Sequence, residues 1–198
     1  MNILHIDSSP RTDDSVSRTL SAYLANQLAE TVYNYRDLAN EPFQALRSED
    51  LVALHGSAGT GTKALASHVA LSDTLIDELL EADTLIIGAP MHNFSVPATL
   101  KRWIDYVARA GKTFRYTETG PEGLAGIETA YIVVATGGAP VGGDMDFASN
   151  YLVHICKFLG VKTVHVIDAG GSNREREQSL SKARKQIDAI LEQQTATA

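Results

Sequence analysis

Short β-branched apolar runs alternate with amphipathic stretches along most of the chain. NILHI (2–6) predicts a strand, and Leu20, Leu24 and Leu28, spaced four apart, predict a helix over 15–30 with Ser15 as its N-cap. TVYNYRDL (31–38) alternates with period two and predicts a second strand, whereas residues 39–62, rich in Gly, Ser and Thr, read as irregular. A stripe of Leu71, Leu75, Ile76 and Leu79 predicts a helix over 64–81, followed by the strand TLIIGA (84–89). Leu100, Trp103, Ile104 and Val107 share one side of a helix over 97–109, with Pro97 in its first turn. Residues 113–126 read as an excursion or hairpin. A strand over 129–136, a helix over 146–159, a strand over 162–168 and a helix over 174–193 complete the pattern, with a loose TATA tail.

Strand and helix therefore alternate five times. Strands this continuously apolar are buried on both faces, which predicts a parallel sheet covered by helices on both sides. Right-handed crossovers leave few topologies, and the strand order 2-1-3-4-5 is the natural one for five strands. No internal repeat or linker interrupts the chain, so residues 1–198 are expected to form a single α/β domain.

The charge balance narrows the partners. With a net charge of −7 and no basic stretch, the chain is not built to neutralise nucleic-acid or membrane phosphates. Its apolar runs are too short to span a bilayer, and MNILHIDSS lacks the features of a signal peptide. A single Cys, Cys156, precludes an internal disulfide framework and points to the cytoplasm.

In a doubly wound sheet a ligand binds beyond the carboxyl ends of the strands, where the strand order reverses. Three loops belong to that edge. The first, SSPRTDDSVS, gathers Ser9, Ser15 and Ser17 around a helix N-terminus, where free N–H groups and the helix dipole favour an anion. The alternative is that Ser15 merely caps the helix. No G-x-G-x-x-G is present, which favours a monophosphate such as that of FMN over a pyrophosphate. The second, APMHNFSVP, offers Met91 and Phe94 as apolar contacts and Asn93 and peptide N–H groups as donors to a flat heterocycle; alternatively it is a plain strand-to-helix connection. The third, ATGGAPVGGD, lets the backbone approach a planar ligand at Gly137 and Gly138, while Gly142 and Gly143 mark a mobile segment or a simple turn.

The serine pattern after strand one, the segment APMHNFSVPATLKRWIDYVARAGKTFRYTETGPEGL and the TGG after strand four together resemble the FMN-dependent NADH azoreductases, which are flavodoxin-like NAD(P)H:quinone oxidoreductases. The resemblance extends over residues 1 to about 192 and is most specific over 89–124. It implies a flavodoxin-like fold and a homodimer with FMN at the subunit interface. It implies that Ser9, Ser15, Val16 and Ser17 hold the phosphate, that Met91, His92, Asn93 and Phe94 lie against the ring, and that Ala135, Thr136, Gly137 and Gly138 form the third wall. Tyr116 and Phe158 match residues that reach toward the flavin from the partner subunit. The implied reaction is ping-pong: NADH or NADPH reduces the flavin, and a quinone or azo compound takes the two electrons. His92 stands where relatives often carry Tyr or Trp, and Thr136 precedes the glycines where some carry Arg. These departures concern the acceptor. His92 is a candidate proton donor or, alternatively, a stacking residue.

Other signals are weaker. GSAGTGTK (56–63) misses the P-loop pattern because Thr62 separates Gly61 from Lys63; it reads as a surface loop near the site. His154 and Cys156 diverge on a helix, so no metal is expected. Asp7 ends a strand as in phospho-receiver domains, but the Asp those need after strand three is replaced by Ala89-Pro90. Trp103, Ile104 and Val107 read as core, or in part as dimer interface. The second functional reading is an electron carrier with no substrate of its own, and a third is a binding scaffold without turnover.

Overall fold

The computed structural model describes residues 1–28, 32–41, 43–55 and 63–197. The glycine-rich stretch 56–62 and the outer ends of the first predicted helix and second predicted strand lie outside them. Strands β1 (Ile3–Asp7), β2 (Tyr33–Asp37), β3 (Thr84–Pro90), β6 (Thr129–Ala135) and β7 (Thr163–Ala169) form one parallel sheet in the order β2-β1-β3-β6-β7. That is the predicted 2-1-3-4-5 order and the predicted flavodoxin-like arrangement. Between β3 and β6, β4 (Phe114–Thr117) and β5 (Gly120–Gly123) pair as an antiparallel hairpin, as expected of the excursion.

Successive strand residues point to opposite faces, and each face has its own core. On one side Leu4, Ile6, Leu85, Ile87, Ile132 and Val134 pack beneath α3 (Lys63–Leu80), α4 (Ala98–Val107) and α5 (Ser149–Leu159). On the other, Ile3, Ile86, Val133 and Ile167 pack beneath α1 (Val16–Gln27) and α6 (Arg176–Thr197). Trp103, Ile104 and Val107 are buried within this chain, so their stripe is core and not a subunit interface. The edge strand β2 keeps Tyr33 and Tyr35 partly exposed, in accord with its alternating pattern.

Three elements differ from expectation. A helix, α2 (Ser48–His55), lies inside the stretch read as irregular; two turns are too few for a clear periodic signal. The last helix continues to Thr197, so residues 195–197 of the tail are helical rather than loose. The helix predicted from 146 begins at Ser149, because the Asp146 carboxylate accepts the Ala148 and Ser149 N–H groups at 2.9 Å each. Asp146 thus stands before the helix and caps it.

The register places the ligand edge. Asp7 lies opposite Gly88, and Pro90 opposite Ala135. The loops that follow β1, β3 and β6 consequently leave the sheet at nearly one level.

Candidate functional site

The serine loop folds back over the end of β1. Ser9 is buried, and its hydroxyl accepts the Arg11 N–H at 3.3 Å. Ser15 caps α1 by accepting the Arg18 N–H at 3.3 Å, and its oxygen lies 3.1 Å from the Ser17 hydroxyl. The capping and anion-binding readings of Ser15 are therefore compatible. Among the described residues the Val16 and Ser17 N–H groups have no acceptor, although both residues are buried. Unpaired amides in the first turn of a helix fit an anion.

The second loop is a tight turn. The His92 and Ser95 backbones exchange both hydrogen bonds, at 2.9 and 3.0 Å, while Asn93 and Phe94 between them have φ of 47° and 70°. Two successive left-handed residues define a type I′ turn, where Asn is common but Phe is strained. Such conformations cost about 1 to 3 kcal/mol each and cluster at functional sites. The turn directs the Asn93 and Phe94 N–H groups away from any acceptor among the described residues. It is anchored at each side: Met91 N–H donates to the Ala135 carbonyl at 2.7 Å, and Phe147 N–H to the Phe94 carbonyl at 2.9 Å. His92, Asn93 and Phe94 are exposed.

The third loop is tied to a fourth that sequence reasoning missed. Ser172 donates from both N–H (3.0 Å) and hydroxyl (2.9 Å) to the Thr136 carbonyl, and Asn173 N–H donates to Gly137 at 3.2 Å. A Cβ on Gly137 would come within 2.3 Å of the Asn173 side-chain amide, whereas one on Gly138 would meet nothing within 4 Å. The close approach at Gly137 is therefore to protein, and the open space is at Gly138. Residues 140–146 form turns, with Gly143 N–H donating to Pro140 and Gly142 N–H to the Asp146 carboxylate. Burial raises Asp146, but the N–H groups of Gly142, Ser149 and Ala148 and the Ser149 hydroxyl outweigh it and hold the carboxyl below its usual range.

These loops enclose a cavity of about 390 Å³ lined by Ser9, Ser15, Val16, Ser17, Met91, His92, Ala135 and Gly137. Its outer wall is made by Arg11, Asp14, Ser172, Asn173 and Arg176. The sequence did carry a signal for these, a polar Gly-Gly-Ser-Asn loop directly after β7. A second cavity, about 950 Å³, opens between the starts of α4 and α5 and is lined by His92, Asn93, Lys101, Asp146, Phe147 and Tyr151 among others. His92 borders both cavities. Phe94, Thr136 and Gly138 neighbour the first without lining it.

Tyr116 and Phe158 line neither cavity of their own chain. Phe158 packs on Phe114 with ring centroids 4.5 Å apart, and Phe114 meets Tyr116 edge-on at 5.5 Å. This aromatic row ends at Tyr116, which is 76% exposed. His154 is exposed and Cys156 buried, and burial pushes the Cys156 thiol up to about 12, which makes it inert.

A doubly wound parallel sheet with unpaired amides at a helix N-terminus and a strained turn at its crossover edge is the architecture of the flavodoxin class. The flavodoxin-like fold family model matches residues 1–191. The FMN-dependent NADH:quinone oxidoreductase of Erythrobacter litoralis is 41% identical over 95% of this chain and 98% of its own. FMN-dependent NADH:quinone oxidoreductase 1 of Hahella chejuensis is 45% identical over 96% and 95%. The crystal structure of the azoreductase AzrA superposes with a TM-score of 0.85 at 25% identity, covering 96% and 98% of the two chains. The chain belongs to the family of FMN-dependent NADH:quinone oxidoreductases within the flavodoxin-like fold.

Proposed function

We propose that the protein is an FMN-dependent NADH:quinone oxidoreductase that also reduces aromatic azo compounds, working as one domain over residues 1–198 in a cytoplasmic homodimer. The observation that carries this reading is the adjacency of two features, in neighbouring cavities that share His92. Unpaired amides and serine hydroxyls stand at the start of α1, and a strained turn with free N–H groups stands at the end of β3. The first fits a phosphate and the second the edge of a ring that gains negative charge on reduction.

When bound, FMN supplies two-electron chemistry, accepting hydride from a reduced nicotinamide and passing it to a quinone or azo acceptor. The Ser9, Ser15 and Ser17 hydroxyls and the Val16 and Ser17 amides hold the phosphate. Met91 packs against the ring, and the Asn93 and Phe94 amides orient its polar edge. Ala135 and Gly137 limit its depth, while Thr136 is pinned behind them and Gly138 leaves open space. The larger cavity beyond His92 receives nicotinamide and acceptor in turn, and His92, between the two spaces, stacks on the acceptor or delivers its proton.

Support for a second copy comes from exposed apolar side chains near the larger cavity: Phe94 at 51%, Phe147 at 63% and Met145 at 50%, with Tyr116 at the end of its row. In a homodimer, Tyr116 and Phe158 close the partner's site. A buried lone cysteine fits a reducing cytoplasm. No helix among the described residues is long and apolar enough to cross a membrane.

Steady-state turnover of the FMN-loaded protein with NADH and NADPH, against several quinones and an azo dye, tests the proposal. Ping-pong kinetics with at least one quinone are expected. Flavin binding without NADH oxidation would favour the electron-carrier reading instead.

A further inference from the structure

Beside the serine loop, outside the cavity lining, lies a buried ionic cluster that the reaction does not use. Its centre is Arg18, in the first turn of α1, with a side chain only 13% exposed. The guanidinium makes a bidentate pair with Asp37 at the end of β2, at 2.6 and 2.8 Å. It also donates twice to the Ser9 carbonyl, from Nε at 3.1 Å and Nη2 at 2.7 Å, and once to the Tyr35 hydroxyl at 2.9 Å. Asp7, at the end of β1, lies 3.9 Å from Nη1, accepts the Ser21 hydroxyl at 2.8 Å and accepts the Tyr35 hydroxyl at 3.1 Å. Asp37 accepts in addition from Ala39 N–H and the Asn40 side chain. Arg18 does not line the cavity, and Ser9 does.

This placement has an electrostatic consequence. A phosphate site built from amides and hydroxyls requires that carbonyl oxygens face elsewhere, because a carbonyl turned toward a dianion repels it. Ser9 precedes Pro10, whose nitrogen carries no hydrogen, so the Ser9–Pro10 peptide can offer an anion only its repulsive end. Two charge-assisted hydrogen bonds from Arg18 hold that carbonyl back.

We propose that Arg18, oriented by Asp37, is a positioning residue that shapes the serine loop for the phosphate monoester of the flavin. It does not touch the phosphate. This inference rests on the FMN reading and deepens it. Lysine cannot replace the fork: one ammonium point charge cannot hold Ser9 and both Asp37 oxygens together.

The test is titration of apoprotein with FMN and, separately, with riboflavin, which lacks the phosphate, read by quenching of flavin fluorescence. The wild type is expected to prefer FMN. Arg18→Lys is expected to weaken FMN by about tenfold, the scale of one charge-assisted hydrogen bond, and to leave riboflavin unchanged. A merely structural role would weaken both ligands alike. If Arg18→Lys does not accumulate as folded protein, Asp37→Asn carries the test, because it releases the same fork and predicts the same selective loss. Tight FMN binding by the wild type with an unaltered FMN-to-riboflavin ratio in the folded variant overturns the brace alone. A wild type that binds neither flavin overturns the FMN reading and the brace with it.

Discussion

Gly137 and Gly138 are neighbours with opposite reasons for lacking a side chain. A Cβ at Gly137 would collide with Asn173 at 2.3 Å, so Gly137→Ala is expected to separate the third and fourth loops and to lower the thermal midpoint. A Cβ at Gly138 meets no protein atom within 4 Å, so Gly138→Ala is expected to leave the midpoint unchanged and to weaken flavin binding. Calorimetry and flavin titration on the two variants check this pair; equal effects of both on stability would contradict it. Phe94, at φ 70°, makes a second contrast. Its side chain is half exposed, so Phe94→Gly removes little buried area while relieving strain of about 1 to 3 kcal/mol. The midpoint is expected to hold or rise while turnover falls, as it does when strain serves a site. A sizeable drop in midpoint would mean that Phe94 is structural.

At the scale of elements, the caps and loop ties decide the site. Asp146 joins the 140–146 turns to the start of α5 by accepting from Gly142, Ala148 and Ser149. Its carboxyl is held below the ordinary range in the folded protein, so its stabilisation is full above the ordinary carboxylate value, about 4, and is lost as pH falls through the lowered native value. Asp146→Asn is expected to lower stability by roughly 1 kcal/mol near neutral pH, with the difference shrinking below about pH 4. Urea midpoints of both proteins across that range measure it, and a difference independent of pH would refute the assignment. The main strands and the helices with long apolar stripes were legible in sequence because β-branched runs and four-residue spacing persist over many residues. The eight-residue α2 was not, and neither was the true start of α5, where an acidic cap looked like the first helical turn. The three predicted loops do meet, since register alone brings Asp7, Gly88, Pro90 and Ala135 to one edge. Ser172, Asn173 and Arg176 reach the site only through the packing of α1 on α6, which places the loop after β7 over the serine loop. No local pattern reports that distance in space.

For the whole molecule, Tyr116 and Phe158 acquire a role only if a second copy is present. Light scattering on the eluted protein is expected to give about twice the chain mass of 21.3 kDa. Tyr116→Ala, at a side chain 76% exposed in the single chain, is expected to leave the fold intact and to change KM for the acceptor. A monomer with full activity would remove both residues from the site. A flavin monophosphate bound at the crossover edge is expected to take hydride from a nicotinamide. Anaerobic addition of one equivalent of NADH to the FMN-loaded protein tests it most directly, with absorbance followed at roughly 450 nm, the flavin band. Complete bleaching in one step is expected, with full recovery of the band when a quinone is added. An unchanged spectrum after NADH, in protein that demonstrably holds FMN, would contradict it.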